Sequence, residues 1–174
     1  MSTPCPGCAG LFVDVDGPVH RYMTSSPACW QGFGGLLAAD YASPDRMRFH
    51  QVVVDAYAAQ HPGDGDFPQQ VQSVGLHLMT LCLFLEHGTD PARGAELHRR
   101  MVRRPSFRRL ARSGPGSLTW AHVPRAGSLQ DVRRSVFEWA EAVWDSYRVE
   151  HSTIRTWLHD AGFDLPTAAE PSGQ

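Results

Sequence analysis

The stretch VGLHLMTLCLFL, which runs from Val74 to Leu85, decides the fold because it is apolar almost all round. A helix of this kind usually lies buried at the centre of a bundle. The pattern predicts a helix from about Pro68 to Glu86, and His87-Gly88 ends it because glycine suits a helix C-cap. At 12 residues, the apolar run is too short to cross a membrane.

Helical signals lie on both sides of this central segment. Ser26-Pro27 and Ser43-Pro44 are capping sequences, in which serine accepts from a backbone N–H and proline takes the first helical position. The last predicted helix is long, and it is either unbroken or kinked near Val149. These flanking helices are predicted from 27 to about 41, from 44 to 60 or 61, from 91 to 103, and from 129 to about 161.

Three of the four cysteines lie in the first 29 residues, with a histidine between them. Cys5, Cys8, His20 and Cys29 have the spacing C-x2-C-x11-H-x8-C, and tetrahedral zinc prefers thiolate and imidazole ligands. Cys29 lies at a predicted helix N-terminus, where the helix dipole favours the thiolate. The sequence therefore predicts Zn²⁺ bound by the three cysteines, with His20 as the fourth ligand. Free thiols packed under a loop are the alternative.

We therefore expect an all-α fold, a single-domain bundle of five to six helices with an N-terminal zinc-knuckle loop. Residues 1–163 form the expected domain, in which 1–29 are the metal-binding segment, and 164–174 form a flexible tail. A chain of 174 residues buries roughly 70% of its unfolded surface. The metal is therefore expected to fix a local segment rather than to create the whole fold.

The composition argues against several classes of function. All 16 basic residues are arginine, which excludes catalysis by a lysine Schiff base. A net charge of −2 is typical neither of a nucleic-acid-binding protein nor of one that binds a membrane surface. The N-terminus lacks the pattern of a secretory signal, so we expect a cytoplasmic protein with reduced cysteines. No hydrolase, NTPase or dinucleotide-binding motif is present in the sequence.

Three histidines and a tyrosine on predicted helices form a second candidate site. His61 and Tyr57 share one helix face, His77 lies on the central apolar helix, and His151 falls on the buried stripe of the last helices. Histidines from three helices can converge inside a bundle, so these four residues are candidate catalytic residues. Core histidines bonded to carbonyl groups are the alternative. Asp55 is a candidate orienting partner, although helical geometry turns it away from His61.

Seven arginines fall between residues 99 and 112. Guanidinium groups bind phosphates and carboxylates well, which would indicate an anionic ligand or nucleic acid. A solvated helix face balanced by acids elsewhere is the alternative, and the net charge favours it. Nucleic acid is therefore not an expected partner, whereas a small-molecule ligand remains one.

Five motifs occur in order along the chain: CPGC at 5–8, GPVHRY at 17–22, SSPACW at 25–30, VDAYAAQHPG at 54–63 and QSVGLHL at 72–78. Together they resemble an uncharacterised family of small bacterial proteins, a domain of unknown function. The resemblance covers roughly residues 5–87, and the arginine run departs from it. It implies no activity. It does imply that six residues match family motif positions: Cys5, Cys8, His20, Cys29, His61 and His77.

Two hypotheses about function follow from these patterns. In the first, the protein is a metal-dependent enzyme that acts on a small molecule in a histidine-lined pocket, and the cysteine-bound zinc is structural. A variant makes that zinc catalytic, with His20 or water in the fourth position. In the second hypothesis, the protein is a non-catalytic, zinc-stabilised binding or regulatory module. The enzyme hypothesis requires His61, His77 and His151 to approach within about 4 Å of a common point.

Overall fold

The computed structural model describes residues 1–102 and 106–165, which are mostly helical. This part of the chain contains seven α-helices, three short 3-10 turns and one two-stranded antiparallel sheet. The helices are α1 (Pro27–Tyr41), α2 (Pro44–Met47), α3 (His50–Gln60), α4 (Pro68–Glu86), α5 (Gly94–Met101), α6 (Leu129–Ser146) and α7 (His151–Asp160). The expected helical architecture is found, together with a small hairpin that the sequence pattern did not indicate.

This N-terminal hairpin carries the Cys-Pro-Gly-Cys turn. Strand β1 (Ser2–Pro4) pairs with strand β2 (Leu11–Val13). Between the strands, the Cys5 N–H donates to the Gly10 carbonyl and the Ala9 N–H donates to the Cys5 carbonyl, both over 2.8 Å. Ala9 has a φ of 58°, which is rare for a residue with a side chain. The turn is therefore tightly wound, and the side chains of both its cysteines are buried.

The predicted start of α1 is confirmed. The Ser26 hydroxyl accepts from the Cys29 N–H over 3.2 Å, and Pro27 is the first helical residue. This cap satisfies one of the free N–H groups at the helix end. It also fixes Cys29 in the first turn, where its side chain is fully buried.

The segment predicted as one helix from 44 to 60 or 61 is broken into α2 and α3. The break brings Arg46 and His50 to the same buried carboxylate, that of Asp40. Arg46 Nε donates to it over 2.8 Å, and His50 Nδ1 lies 3.1 Å from its second oxygen. A buried carboxylate needs such partners, and the periodicity of a single segment does not reveal them.

Helix α4 has the bounds that the apolar run predicts, and it is the central helix. It packs against α3, α6 and α7. Its apolar side chains Leu78, Met79, Leu81 and Leu83 are at most 2% exposed. None of the helices within the described ranges combines the length and the apolar character needed to cross a membrane.

Gln60, the last residue of α3, ties this helix to α6 and to a loop. Its side chain is fully buried. Trp139 Nε1 donates to Gln60 Oε1 over 3.0 Å, and Gln60 Nε2 donates to the carbonyls of Pro115 and Leu118, each over 2.7 Å. The end of α3 is therefore fixed on several sides, immediately before His61.

The C-terminal helical region divides near Val149, as the sequence allowed. A 3-10 turn at Arg148–Glu150 joins α6 to α7. Two other expectations lie partly outside the described residues. They are the end of the helix expected at 103 and the flexible tail expected at 164–174.

Three arginines of the basic run do not form a helix face, because residues 106–112 are irregular. Arg108 donates through both terminal nitrogens to Glu150, over 3.0 and 2.7 Å. Arg109 and Arg112 donate instead to backbone carbonyls, those of Gly63 and Gly65 and those of Gln60 and Gly7 respectively. These side chains fasten the segment to the hairpin turn, to the end of α3 and to the turn before α7.

Candidate metal centre

Four buried side chains bring three sulfurs and one imidazole nitrogen together. They belong to Cys5, Cys8, Cys29 and His61, and their ligating atoms all lie within 4.8 Å of one another. Cys8 Sγ is 3.8 Å from Cys29 Sγ, which in turn is 3.4 Å from His61 Nε2. All three thiols are free of disulfides. We call this set the Cys3His cluster.

The distances in the Cys3His cluster fit the edges of a zinc tetrahedron. With Zn–S bonds of about 2.3 Å and Zn–N bonds of about 2.0 Å, the S···S edge is about 3.8 Å and the S···N edge about 3.5 Å. The observed values are 3.8 Å and 3.4 Å. The Cys8–Cys29 and Cys29–His61 edges therefore match those of a tetrahedral site, and all four ligand atoms lie within 4.8 Å of one another.

The imidazole of His61 has the orientation that a metal ligand needs. Its Nδ1 lies 2.8 Å from the Tyr57 carbonyl oxygen, so Nδ1 carries the proton and donates it. The lone pair of Nε2 then faces Cys29. Metal-bound histidines usually make such a bond with their second nitrogen. The ring also stacks on the Tyr57 ring, with centroids 3.9 Å apart, which holds its plane.

Hydrogen-bond donors surround the sulfurs. Trp120 Nε1 donates to Cys29 Sγ over 3.2 Å, and the Ser26 N–H donates to Cys5 Sγ over 3.4 Å. The Tyr57 hydroxyl lies 3.6 Å from Cys29 Sγ. Donors directed at sulfur stabilise its ionised form, which is the form that binds metals.

The three thiols do not ionise independently of one another. Hydrogen bonds from Cys29 and Cys8 lower the pKa of Cys5, whereas hydrogen bonds to Cys29 and Cys5 raise the pKa of Cys8. The pKa of Cys29 is raised to about 11, chiefly by its hydrogen bond with Cys5. The ionisation of each thiol therefore depends on the other two, and a cation bound among the sulfurs would favour their thiolate forms.

Three distant parts of the chain build the Cys3His cluster. The hairpin turn supplies two cysteines, the first turn of α1 supplies Cys29, and the residue after α3 supplies His61. Gly7 allows the close approach of the hairpin turn. A Cβ atom at Gly7 would lie 2.3 Å from the His61 ring and 2.3 Å from the Thr24 carbonyl oxygen.

His20, predicted as the fourth ligand, lies outside the cluster. Its Nδ1 accepts from the Tyr22 N–H over 3.3 Å, and its ring packs near Trp30, with centroids 5.4 Å apart. Burial lowers the pKa of His20, and the nearby His77 lowers it further. In the structure His61, and not His20, lies beside the three cysteines, because the end of α3 packs on the hairpin turn. Spacing within residues 1–29 does not reveal that long-range contact.

The four predicted catalytic side chains occupy three separate environments. His61 and Tyr57 belong to the Cys3His cluster and its surroundings. His151 stacks on Trp144 with centroids 3.8 Å apart, and its Nε2 lies 3.0 Å from the Trp144 carbonyl oxygen. His77 belongs to a different cluster. The structure therefore does not bring the three imidazoles to a common point.

Asp55, His77 and His98 form this second group, which we call the Asp-His-His cluster. Their ligating atoms lie within 4.8 Å of one another. Asp55 Oδ1 is 2.6 Å from His77 Nδ1 and 3.4 Å from His98 Nε2. Asp55 and His77 are candidates from the sequence pattern, whereas His98 is not. Its place beside them depends on how α5 packs, for which the sequence carries no local signal.

A third group, Cys82, Glu86 and His87, also lies within metal-binding distances. The Glu86 carboxylate already accepts from Arg155 over 2.7 and 3.0 Å and from Trp144 Nε1 over 3.2 Å. Its charge is therefore satisfied by an ion pair and a hydrogen bond, and the group needs no ion.

A cleft of about 280 Å³ lies beside the Cys3His cluster. Pro6 of the hairpin turn and Pro62, which follows a cluster ligand, line one part of it. Arg109 and Arg112 line another part. The cleft therefore lies between residues next to the cluster and two arginines that are bonded to backbone carbonyls.

These observations define a class: a mostly helical protein with a buried Cys3His cluster able to hold a metal ion. The chain belongs to DUF5946, a family of unknown function, whose family model matches residues 3–148. The match confirms the resemblance drawn from the motifs, and the matched range contains every member of both the Cys3His and the Asp-His-His clusters. No curated protein and no solved structure matches the chain significantly.

Proposed function

We propose that this protein is a zinc-stabilised binding module, in which Cys5, Cys8, Cys29 and His61 hold one structural Zn²⁺ ion. The observation that carries the proposal is the pair of distances from Cys29 Sγ, 3.8 Å to Cys8 Sγ and 3.4 Å to His61 Nε2. Both agree with the edges of a zinc tetrahedron. Thiolate-rich sets of this kind favour zinc over the harder cations Mg²⁺ and Ca²⁺.

A structural role is supported by the closure of the site. Catalytic zinc ions keep a coordination position open for water or substrate, whereas structural ions have four protein ligands. All four ligands here are buried, with exposed fractions of at most 3%. The Trp120 indole and the Tyr57 ring also cover the cluster. The variant in which this zinc is itself catalytic therefore has no support in the geometry.

The zinc ion would join the N-terminal hairpin to α1 and to the end of α3. These same parts carry one wall of the neighbouring cleft, through Pro6, Thr24 and Pro62. We propose that the ion fixes the shape of this wall and that the cleft receives a small molecule. Arg109 and Arg112 line the other side, and although their terminal nitrogens are bonded to backbone carbonyls, their positive charge favours a ligand with a negative group.

The enzyme hypothesis built on His61, His77 and His151 is not carried forward. His61 faces the cysteines and His151 is bonded to the Trp144 carbonyl, so neither is free to act with His77. The binding module was the second hypothesis from the sequence, and it is the one that the geometry supports.

Cobalt replacement tests the metal proposal, because Co²⁺ bound by thiolates gives an intense charge-transfer band. We expect the wild-type protein to contain zinc by mass spectrometry and to show this band after exchange with Co²⁺. Cys8→Ser should weaken both, whereas Cys82→Ser, which alters the buried cysteine outside the cluster, should preserve both. A folded wild-type protein without the band, whose cluster thiols react freely with a thiol reagent, would contradict the proposal.

A further inference from the structure

We propose that Asp55, His77 and His98 form a second metal site, which binds a divalent first-row transition ion through two nitrogens and one oxygen. This site goes beyond the structural zinc and shares no ligand with it. Three protein ligands leave at least one coordination position for water or another small ligand. Two histidines and one carboxylate are a common ligand set of catalytic zinc and of non-haem iron.

The three ligands come from three helices that pack together. Asp55 lies on α3, His77 on the central α4 and His98 on α5. Gly94 lets α5 approach α3, because a Cβ atom there would lie 2.1 Å from the Gln51 side chain. The site is therefore placed on rigid helices rather than on a loop, which holds its ligands in position.

The surroundings of Asp55 indicate that a cation belongs there. The side chain is fully buried. The polar contacts of this carboxylate are all made by Oδ1. Gln51 Nε2 donates to Oδ1 over 2.7 Å, and His77 Nδ1 and His98 Nε2 lie 2.6 and 3.4 Å from it. Within residues 1–102 and 106–165, no hydrogen-bond donor reaches the buried Oδ2. An ionised carboxylate with one bare oxygen in the interior is costly unless a positive charge lies beside it.

Thr80 stands beside this group. It lies on the same face of α4 as His77, and its hydroxyl oxygen is 3.2 Å from His98 Nε2. The hydroxyl therefore contacts the nitrogen that would bind the ion.

The geometry needs one small adjustment to hold an ion. With metal–ligand bonds of about 2.0 Å, a tetrahedral ligand edge is about 3.3 Å. The His98–Asp55 distance of 3.4 Å already fits, whereas the His77–Asp55 distance of 2.6 Å is that of a hydrogen bond. An ion would replace the proton between His77 and Asp55. The carboxylate could then rotate so that Oδ2 also binds, and the His77–Asp55 distance would widen by about 0.7 Å to the tetrahedral value.

The two clusters differ in access to solvent. The side chains of His77 and His98 are 14% and 24% exposed, whereas the Cys3His ligands are almost fully buried. An ion held by Asp55, His77 and His98 would therefore meet solvent on one side, as a catalytic or exchangeable ion must.

Titration with Co²⁺ of the full chain, with zinc retained in the Cys3His cluster, tests this proposal. We expect one additional Co²⁺ per chain, with weak ligand-field absorption and no thiolate charge-transfer band. His98→Ala should weaken this binding at least about 100-fold because it removes a direct ligand, and Asp55→Asn should weaken it because it removes the negative charge of the oxygen ligand. His159→Ala, which removes an exposed histidine on α7, is the matched control and should bind as the wild type does.

Two further measurements keep the outcomes distinct. Circular dichroism and thermal unfolding should show that His98→Ala is folded, since this ring is partly exposed. Azide, a small anionic ligand, should change the cobalt spectrum by taking the open position. The proposal is overturned if the zinc-loaded wild type binds no additional Co²⁺, if His98→Ala binds it equally well, or if azide has no effect. A missing charge-transfer band in fully exchanged protein would count against the Cys3His centre alone.

Discussion

His61 Nδ1 lies 2.8 Å from the carbonyl oxygen of Tyr57, which is four residues earlier in the last turn of α3. This hydrogen bond fixes the proton on Nδ1 and directs the lone pair of Nε2 at the sulfur of Cys29, 3.4 Å away. The chain therefore orients a metal ligand by a contact between the residue after α3 and the backbone of that helix.

Replacing this histidine tests which imidazole completes the cluster. We expect His61→Ala to lower zinc affinity by more than about 100-fold, because a direct ligand is lost and ligand-orienting partners alone are worth about 10–100-fold. His20→Ala, at the position that the sequence spacing favoured, should leave zinc affinity unchanged. Competition with a coloured chelator measures both. Equal losses in the two variants would place His20 in the coordination sphere and contradict the structure.

The indole of Trp120 provides a second test, because its N–H donates to Cys29 Sγ over 3.2 Å. Trp120→Phe keeps an aromatic ring that can still stack near Phe12 but removes this donor. We expect zinc affinity to fall about tenfold and zinc release to become faster. Trp157→Phe alters a buried tryptophan whose ring contacts Phe107 away from the cluster, and it serves as the control. An unchanged release rate in Trp120→Phe would show that the N–H does not tune the sulfur.

The sequence predicted the helices well wherever one segment carries its own signal. The bounds of α4 and the cap of α1 were correct because an apolar run and a Ser-Pro pair act locally. The break between α2 and α3 was missed because it accompanies a tertiary contact, the pairing of Arg46 and His50 with Asp40.

In the candidate sites too, residues with a local sequence signal were predicted and residues brought in by tertiary packing were not. The three cysteines were identified from their spacing, and the structure gathers them. His61 was named for a different role, since it reaches the cysteines only through the packing of α3 on the hairpin turn. His98 was missed altogether, because its approach to Asp55 and His77 depends on the docking of α5. Ligands contributed by separate helices cannot be paired from spacing along a single chain.

Gln60 offers a test of how the end of α3 is held in place. Gln60→Leu would leave the Trp139 N–H and the carbonyls of Pro115 and Leu118 without their present partners. The buried Trp139 N–H without a partner costs about 1–3 kcal/mol and the partly buried carbonyls cost less, so we expect a loss of about 2–4 kcal/mol in the free energy of unfolding. Urea denaturation measures it.

Zinc affinity should fall as well in Gln60→Leu, because His61 follows directly. Gln130→Leu, at an exposed position on α6, is the matched control and should change stability by less than about 0.5 kcal/mol. Similar denaturation midpoints for the two variants would show that the buried amide does not hold the helix end.

Glu150 predicts a dependence of stability on acid pH. Its hydrogen bonds with Arg108, together with those from the Ala111 N–H and Thr153, lower its pKa from 4.5 to about 2. A carboxyl whose pKa is depressed in the folded state stabilises the protein above the unfolded pKa, and this contribution is lost as the pH falls from about 4.5 to 2.

We expect Glu150→Gln to lose about 1–3 kcal/mol at pH 7, a range that allows for solvent screening of the half-exposed Arg108. The difference from wild type should shrink towards pH 2. Thermal unfolding from pH 7 to pH 2 measures this, with the exposed Glu138→Gln as control. A constant difference across that range would show that the ionised form of Glu150 does not stabilise the fold.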